Sequence, residues 1–228
     1  MGGITVWDVA GVIAFLVCWP GYHIAARWFD TRKPSLMTLV KVFRHRWIAR
    51  MAERQTHIAD ATFLGNLLRG ALFFASTTVF ILGGLLALIG TAPEVANLLS
   101  QLPFATKTAP IVAEAKALAL VLVFVYAFFK FTWSAWQYNV LSILVGAMPA
   151  NYPDEAARDA YVRAAGEVAA LAGESYNNGI RAYYFSIPLM AWFMDARVFL
   201  AATAIVTVVL YRREFNSPMM TALRAVRD

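Results

Sequence analysis

The chain is poor in charge, cysteine and histidine. Charged residues make up 15% of its 228 positions, whereas soluble domains contain roughly 25%. Cys18 is the single cysteine, which excludes an intrachain disulfide and a cysteine-based metal cage. The sequence also lacks a Gly-x-Ser-x-Gly turn, a His-Glu-x-x-His motif and a glycine-rich phosphate loop. We therefore expect neither an enzyme nor a cofactor.

Hydrophobic residues are abundant, at 60% of the sequence. Long apolar segments recur from end to end, which predicts an all-α, polytopic integral membrane protein. We interpret residues 1–228 as one transmembrane domain with about five spans. The predicted spans lie near residues 5–26, 63–90, 111–136, 178–194 and 197–212. The cations behind the net charge of +6 lie at the ends of these segments, so we expect no nucleic-acid partner.

Proline, glycine and charge set the expected ends of these spans. Pro20 and Gly21 are expected to kink or end the first span. The last two spans are expected to form a hairpin around Asp195 and Arg197. The fifth apolar run would rise only about 21 Å, which is shorter than a hydrocarbon layer of roughly 30 Å. A four-span protein with a re-entrant hairpin is therefore the alternative.

The basic residues predict the orientation. Eight Lys and Arg residues fall between positions 27 and 54, whereas the connector at 91–110 contains only Lys107. By the positive-inside rule, connectors 27–60 and 150–176 are cytoplasmic, the N-terminus is outside and the C-terminus is cytoplasmic. Only Asp8 is charged before Arg27. The positive region of a signal peptide is missing, and we expect the first span to remain in the mature protein.

Each cytoplasmic connector is expected to contain an amphipathic helix. Pro34 can begin the first, whose apolar residues recur at helical spacing from Leu36 to Met51. Its other face is basic, so the helix can lie on an anionic leaflet or pack on protein, and the pattern favours neither. The candidate membrane-surface residues are Lys41, Arg44, Arg50, Arg54 and Trp47. In the second connector, a soluble helix is expected to begin near Pro153 and to stop near Gly173.

The segment KFTWSAWQYNVLSILVGAMP (130–149) is polar where the third span should leave the membrane. Lys130 lies about 21 Å along the helix from Lys116, in the cytoplasmic third of the layer. Residues 137–139 then fall at or below the headgroups. The apolar stretch 140–148 needs a cover, which we expect to be another subunit or the first connector helix.

Three cations at this depth define the candidate site. Arg69 lies at the inner edge of the second span, and Lys130 and Arg181 lie at similar depths in the third and fourth. Cations below the surface of a helix bundle indicate an anionic ligand or lipid headgroup. The alternative is a structural role, in which these side chains snorkel or pair with Asp60 and Glu174. The candidate ligand residues are Lys130, Arg69, Arg181, Asn66, Asn139 and Tyr184.

A second set of polar residues, Glu53, His57 and Asp60, shares one helical face. These residue types can hold a metal ion or relay a proton. On a basic helix they are more typical of a solvated charged surface. We therefore predict no metal site.

Three stretches carry a family resemblance: FASTTVFILGGLLALIG (74–90), the segment 130–149, and RAYYFSIPLMAWF with VLYRREFNS (181–193 and 209–217). Together they resemble the domain of unknown function 599 (DUF599) family, small membrane proteins common in bacteria. The resemblance implies a multi-pass protein of the bacterial inner membrane. It implies no established substrate, cofactor or catalytic residue.

Two functional hypotheses follow. The first is a homo-oligomeric channel or carrier for a small solute, which is an anion if the three cations line its path. The alternative is a non-transporting scaffold or accessory subunit of a membrane complex that binds anionic phospholipid. Both make membrane lipids partners, together with a second copy or a larger complex. The small-residue stripe of Ala75, Val79 and Gly83 motivates the contact between subunits.

Overall fold

The computed structural model describes residues 5–30, 35–90 and 109–227, and it describes their side chains except at 22–30, 90, 110 and 227. The described chain is helical, which confirms the all-α prediction. The helices are α1 (Val6–Asp30), α2 (Leu36–Met51), α3 (Ile58–Gly90), α4 (Pro110–Gly146), α5 (Glu155–Trp192), α6 (Ala196–Phe215) and α7 (Pro218–Arg227). The predicted outside connector at 91–110 and the cations between 27 and 33 lie outside the described side chains.

Two helices have the length and composition of membrane spans. The apolar stretches are Ile58–Ile89 in α3 and Ile111–Gly146 in α4, and α1 contains a shorter one, Val6–Gly21. These stretches coincide with the predicted second, third and first spans. Helix α6 has 20 residues and is therefore about 30 Å long, longer than its apolar run alone predicts.

Capping side chains explain where three helices begin. Ser35 accepts a hydrogen bond from the backbone N–H of Thr38 at the start of α2. Asp154 caps α5 and Asp195 caps α6 in the same way. An N-cap side chain satisfies one of the backbone donors that a helix leaves unpaired in its first turn. The Asp195 cap fixes the turn of the predicted α5–α6 hairpin.

Helix α5 runs unbroken through Gly173, so the predicted stop at this glycine is wrong. Glycine ends a helix when it adopts a left-handed conformation, and no described glycine has a positive φ. Within a helix, glycine is only weakly unfavourable. Helix α1 also continues through Pro20 to Asp30. Of the two outcomes predicted for Pro20 and Gly21, a helix end is therefore wrong, and a kink stays a prediction.

Helix α5 is the centre of the bundle. It packs against α2, α4 and α6, while α3 packs on α4 and α1 packs on α6. An aromatic core including Phe15, Phe131, Phe185 and Phe199 fills one part of the bundle.

A second core lies where α2 meets α4 and α5. It contains Ile48 and Met51 from α2, Leu141 and Val145 from α4, and alanines of α5. The connector helix thus covers part of the apolar stretch 140–148, as one of the two alternatives predicted. Packing on its own chain accounts for Trp47, Ile48 and Met51 of α2.

The polar end of α4 is explained by its contact with α5. Ser134 donates a hydrogen bond to the carbonyl oxygen of Ala172, 2.8 Å away. The side chains of Gln137 and Ser175 lie 2.9 Å apart and hydrogen-bond to each other, and Tyr138 is buried. These groups hold the two helices together at this level.

Candidate functional site

A buried polar cluster joins three helix ends at one level. Trp192 donates its indole N–H to Asp8, 2.7 Å away. Lys116 donates to the carbonyl oxygen of Trp192 at 2.9 Å, and its Nζ lies 3.9 Å from Asp8 Oδ1. The starts of α1 and α4 and the end of α5 therefore lie together. This pairing was not predicted, because the three residues are far apart along the chain.

This polar cluster provides a reference level for depth along α5. Arg181 lies 11 residues before Trp192, which is about 16 Å along the helix. Gly173 lies 19 residues before Trp192, or about 28 Å. Arg181 therefore lies a little beyond the midpoint between Trp192 and Gly173.

A cleft of about 490 Å³ lies between α2, α5, α6 and α7 in this depth range. Its polar and charged lining residues are Arg44, Tyr176, Asn177, Arg181, Arg213, Glu214 and Ser217. Its remaining lining residues are Leu36, Met37, Val40, Gly173, Leu210 and Met219. We call it the arginine cleft. Three arginines against one glutamate leave an excess of two positive charges among the described lining residues.

Arg181 and Glu214 form a buried ion pair in the arginine cleft. The Arg181 Nη2 atom lies 2.5 Å from both carboxylate oxygens of Glu214. Both side chains are more than nine-tenths buried. Arg181 also donates to Asn178 at 3.3 Å. Removing either member of the Arg181–Glu214 pair would leave the other charge buried without compensation.

Arg44 lies flat against α5 in the space left by a missing side chain. A Cβ atom built on Gly173 would overlap the Arg44 guanidinium, so the glycine permits an approach that a larger residue would displace. The Nη1 atom of Arg44 is buried and has no hydrogen-bond partner among the described residues. Most buried donors in proteins are paired. The Nη1 group of Arg44 is therefore a buried donor without an acceptor among the described residues.

Arg213 is the third cation of the cleft. Its guanidinium carbon lies 5.5 Å from the centre of the Tyr184 ring, which is cation–π distance. Tyr184, a predicted ligand residue, thus positions a cation here. Arg213 and Glu214 were missed as site residues because the sequence RRE after the last apolar run reads as a cytoplasmic flank. The lone acidic residue in this basic run was the available signal.

The three cations of the predicted site, Arg69, Lys130 and Arg181, have different surroundings. Arg69 is exposed on α3 and donates to Asn66 at 2.7 Å. The Lys130 ammonium lies 5.5 Å from the centre of the Tyr126 ring. Arg181 lines the arginine cleft, and Asn139 is exposed. No described contact joins the three cations.

The remaining basic residues of the connector make ion pairs or face outward. Lys41 donates to Glu167 of α5 at 2.8 Å, and Arg50 is exposed. The hydrogen bond from Lys41 is the main cause that lowers the pKa of the Glu167 carboxyl, assisted by the charges of Lys41 and His45 and opposed by burial. This contact ties α2 to α5 at their outward-facing side chains.

Asp60 pairs with residues of the first connector and not with the cations of the predicted site. It accepts from Arg54 at 2.9 Å and from the Trp47 indole at 2.8 Å. Glu53, which belongs to the same predicted polar set, accepts from Arg158 at 3.3 Å. Within the described ranges, no three His, Cys, Asp or Glu side chains are placed to hold a metal ion.

Comparison with known proteins gives the family. A family model described as "Protein of unknown function, DUF599" matches residues 10–219. The chain belongs to the DUF599 family. The match extends from α1 into α7, so it includes every helix that lines the arginine cleft of this DUF599 protein. No curated protein and no solved structure matches the chain.

Proposed function

We propose that this DUF599 protein is a five-span protein of the bacterial inner membrane, with its N-terminus outside and its C-terminus in the cytoplasm. Only 11% of the apolar window of α3 and 33% of that of α4 are buried within the chain. Large apolar side chains such as Leu72, Phe73 and Phe80 face outward. Lipid is the natural cover for apolar surface of this extent.

Two full spans for the α5–α6 hairpin are supported by its length and by its tip. Helix α6 is long enough, at about 30 Å, to cross the hydrocarbon layer. The end of α5 at Trp192 reaches the same level as Asp8 and Lys116 near the starts of α1 and α4. A re-entrant hairpin would stop short of that level.

The function we propose is the binding of an anionic ligand in the arginine cleft. The observation that carries the proposal is the convergence of Arg44, Arg181 and Arg213 on one cleft in which Glu214 is the single described carboxylate. Guanidinium groups suit carboxylates and phosphates because they present several fixed donors. An anion also offsets the cost of holding the two excess positive charges in a partly buried cleft.

Inorganic phosphate is the first probe for this function. Purified protein in uncharged detergent is heated with phosphate or with chloride at equal ionic strength. Phosphate should raise the unfolding temperature more than chloride, because a ligand that binds only the folded state stabilises it. Arg44→Gln and Arg213→Gln should reduce that rise. Arg50→Gln, which removes an exposed charge from the same connector helix, should leave it unchanged.

A carrier is the second candidate, and the depth of Arg181 favours it. Transporters place their binding sites near the bilayer midplane, and Arg181 lies about 16 Å along α5 from Trp192. The aromatic core around Phe15, Phe185 and Phe199 lies between the cleft and that end. Transport would therefore need a second conformation rather than an open pore. Phosphate flux into proteoliposomes that is lost in Arg44→Gln would support a carrier, and binding without flux would support the scaffold.

Assembly into a homo-oligomer or a larger complex is also a proposal. A Cβ atom on Gly83 or Gly84 would meet nothing within 4 Å among the described residues. Both glycines are exposed on α3, where small residues let a second membrane helix approach closely. Light scattering of the detergent-solubilised protein would give the subunit number.

A further inference from the structure

We propose that the ligand of the arginine cleft is an anionic phospholipid of the cytoplasmic leaflet, held by its phosphate between Arg44 and Arg213. This inference rests on the proposed anion-binding function and names the class of anion. It depends on three properties of the cleft: the state of its cations, its apolar walls and its depth.

Arg181 pairs with Glu214, the single carboxylate among the described lining residues, and this leaves Arg44 and Arg213 without a carboxylate partner in the described lining. Arg181 is paired with both oxygens of Glu214. Arg44 keeps a buried N–H without an acceptor, and Arg213 stands over the Tyr184 ring. A phosphate presents several strong acceptor oxygens and can therefore bind two guanidinium groups at once. We therefore assign the binding of the headgroup phosphate to Arg44 and Arg213.

The walls of the cleft fit an acyl chain better than a free ion. Apolar side chains come from α2, α6 and α7: Leu36, Met37, Val40, Leu210 and Met219. The cleft volume of about 490 Å³ lies in the range of sites for drug-sized ligands, roughly 300–1,000 Å³. Inorganic phosphate is much smaller and gains nothing from apolar walls. An acyl chain is stabilised by being removed from water there.

The depth of the two available arginines agrees with a phospholipid headgroup. Arg44 lies against Gly173, about 28 Å along α5 from Trp192, and Arg213 lies about 27 Å along α6 from Asp195. Both distances place the guanidinium groups at the far boundary of a hydrocarbon layer of roughly 30 Å. In the proposed orientation this boundary is the cytoplasmic one, where anionic lipids attract basic side chains.

Native mass spectrometry with defined lipids tests the proposal. Protein purified in uncharged detergent is titrated with dioleoyl phosphatidylglycerol or with dioleoyl phosphatidylcholine, which carry the same chains. We expect phosphatidylglycerol to bind about tenfold more tightly, and Arg44→Gln or Arg213→Gln to remove most of that preference. Binding of phosphatidylcholine should fall less in either variant, because its choline cation offsets the charge of its phosphate.

Gly173→Ala tests the same contact without removing a charge. The new methyl group displaces the Arg44 guanidinium, so the preference for phosphatidylglycerol should fall although every cation is kept. Gly84→Ala, which meets no neighbour within 4 Å, and Arg50→Gln are the matched controls. Unfolding temperatures of all variants show which of them remain folded.

The outcomes separate the lipid from the anion. Equal binding of both lipids would show that the cleft does not select a net negative charge. An equal loss of the preference in Arg50→Gln would show attraction by surface charge. Either result would overturn the proposal. If phosphate stabilises the protein through Arg44 and Arg213 but phosphatidylglycerol does not compete with it, the ligand is a soluble anion. In that case the proposed function stands and this inference fails. If neither probe depends on these arginines, both fail.

Discussion

The glycines of α5 determine which side chains can approach that helix. Gly173 receives Arg44, Gly166 receives the His45 ring and Gly179 faces Phe131. Glycine has no Cβ, so a neighbouring side chain can lie against the helix backbone. Two of these contacts attach the connector α2 to α5, and the third belongs to the aromatic core.

Gly179→Ala should destabilise the protein. The new Cβ would lie 2.7 Å from the Phe131 ring, and this ring is fully buried and stacked on Phe74 at 5.1 Å. Overpacking of this kind costs about 1–3 kcal/mol, or roughly 2–4 °C in unfolding temperature for each kcal/mol in a chain of this size. Thermal unfolding followed by intrinsic fluorescence measures the change. Gly84→Ala is the control, and an equal shift in both variants would contradict the packing argument.

Glu214→Gln should also destabilise the protein, for an electrostatic reason. The substitution leaves the Arg181 guanidinium buried beside a neutral amide, and breaking a buried pair costs about 3–5 kcal/mol. The double variant Arg181→Gln with Glu214→Gln should lose less than the sum of the two single variants, because the two charges interact directly. Thermal unfolding of the four proteins completes the cycle. Additive losses would mean that the pair contributes little.

At the scale of helices, the sequence predicts the elements better than their contacts. Long apolar runs in the sequence located α3, α4 and the hairpin of α5 and α6, because a run of that length is visible whatever it contacts. The sequence also marked Arg44 and Arg181 as candidates. It did not place them in one cleft, since that depends on α2 lying against α5, more than 100 residues later in the chain. Gly173 was predicted to end a helix for the same reason, because its contact with Arg44 of α2 is not visible in the sequence.

The contact between α2 and α5 should weaken in acid. The pKa of Glu167 is lowered in the folded protein, mainly by its hydrogen bond from Lys41. A carboxyl of this kind contributes stability above its ordinary pKa of 4.5, and the contribution is lost as the pH falls through the lower folded value. The effect is small, below about 1 kcal/mol, because both side chains are half exposed and salt screens them.

Unfolding temperatures between pH 7 and pH 3.5 check this expectation. Glu167→Gln should show a shallower fall than the unmodified protein below about pH 4.5, and the two curves should approach each other at high salt. Parallel curves throughout the acid range would show that the contact does not depend on the charge of Glu167.

At the scale of the whole molecule, the buried polar cluster and the arginine cleft lie at two different levels. Asp8, Lys116 and Trp192 lie at one end of the bundle, and the arginine cleft lies about 16–28 Å away along α5. The aromatic core separates them. If the bundle spans the membrane as proposed, the arginine cleft is suited to binding from one side, because the packed aromatic core lies between the cleft and the other end. The level of the α5–α6 tip is therefore decisive for the orientation of the cleft.

Cysteine accessibility should establish that orientation. In a Cys18→Ala background, single cysteines replace Thr5, Met194 and Thr221, which are all exposed. A membrane-impermeant maleimide should label Thr5→Cys and Met194→Cys in intact spheroplasts, and Thr221→Cys only after permeabilisation. Labelling of Thr5→Cys without Met194→Cys would indicate a re-entrant hairpin. Labelling of Thr221→Cys alone in intact spheroplasts would indicate the opposite orientation. The arginine cleft would then lie in the outer leaflet, where the proposed attraction to cytoplasmic anionic lipid would be lost.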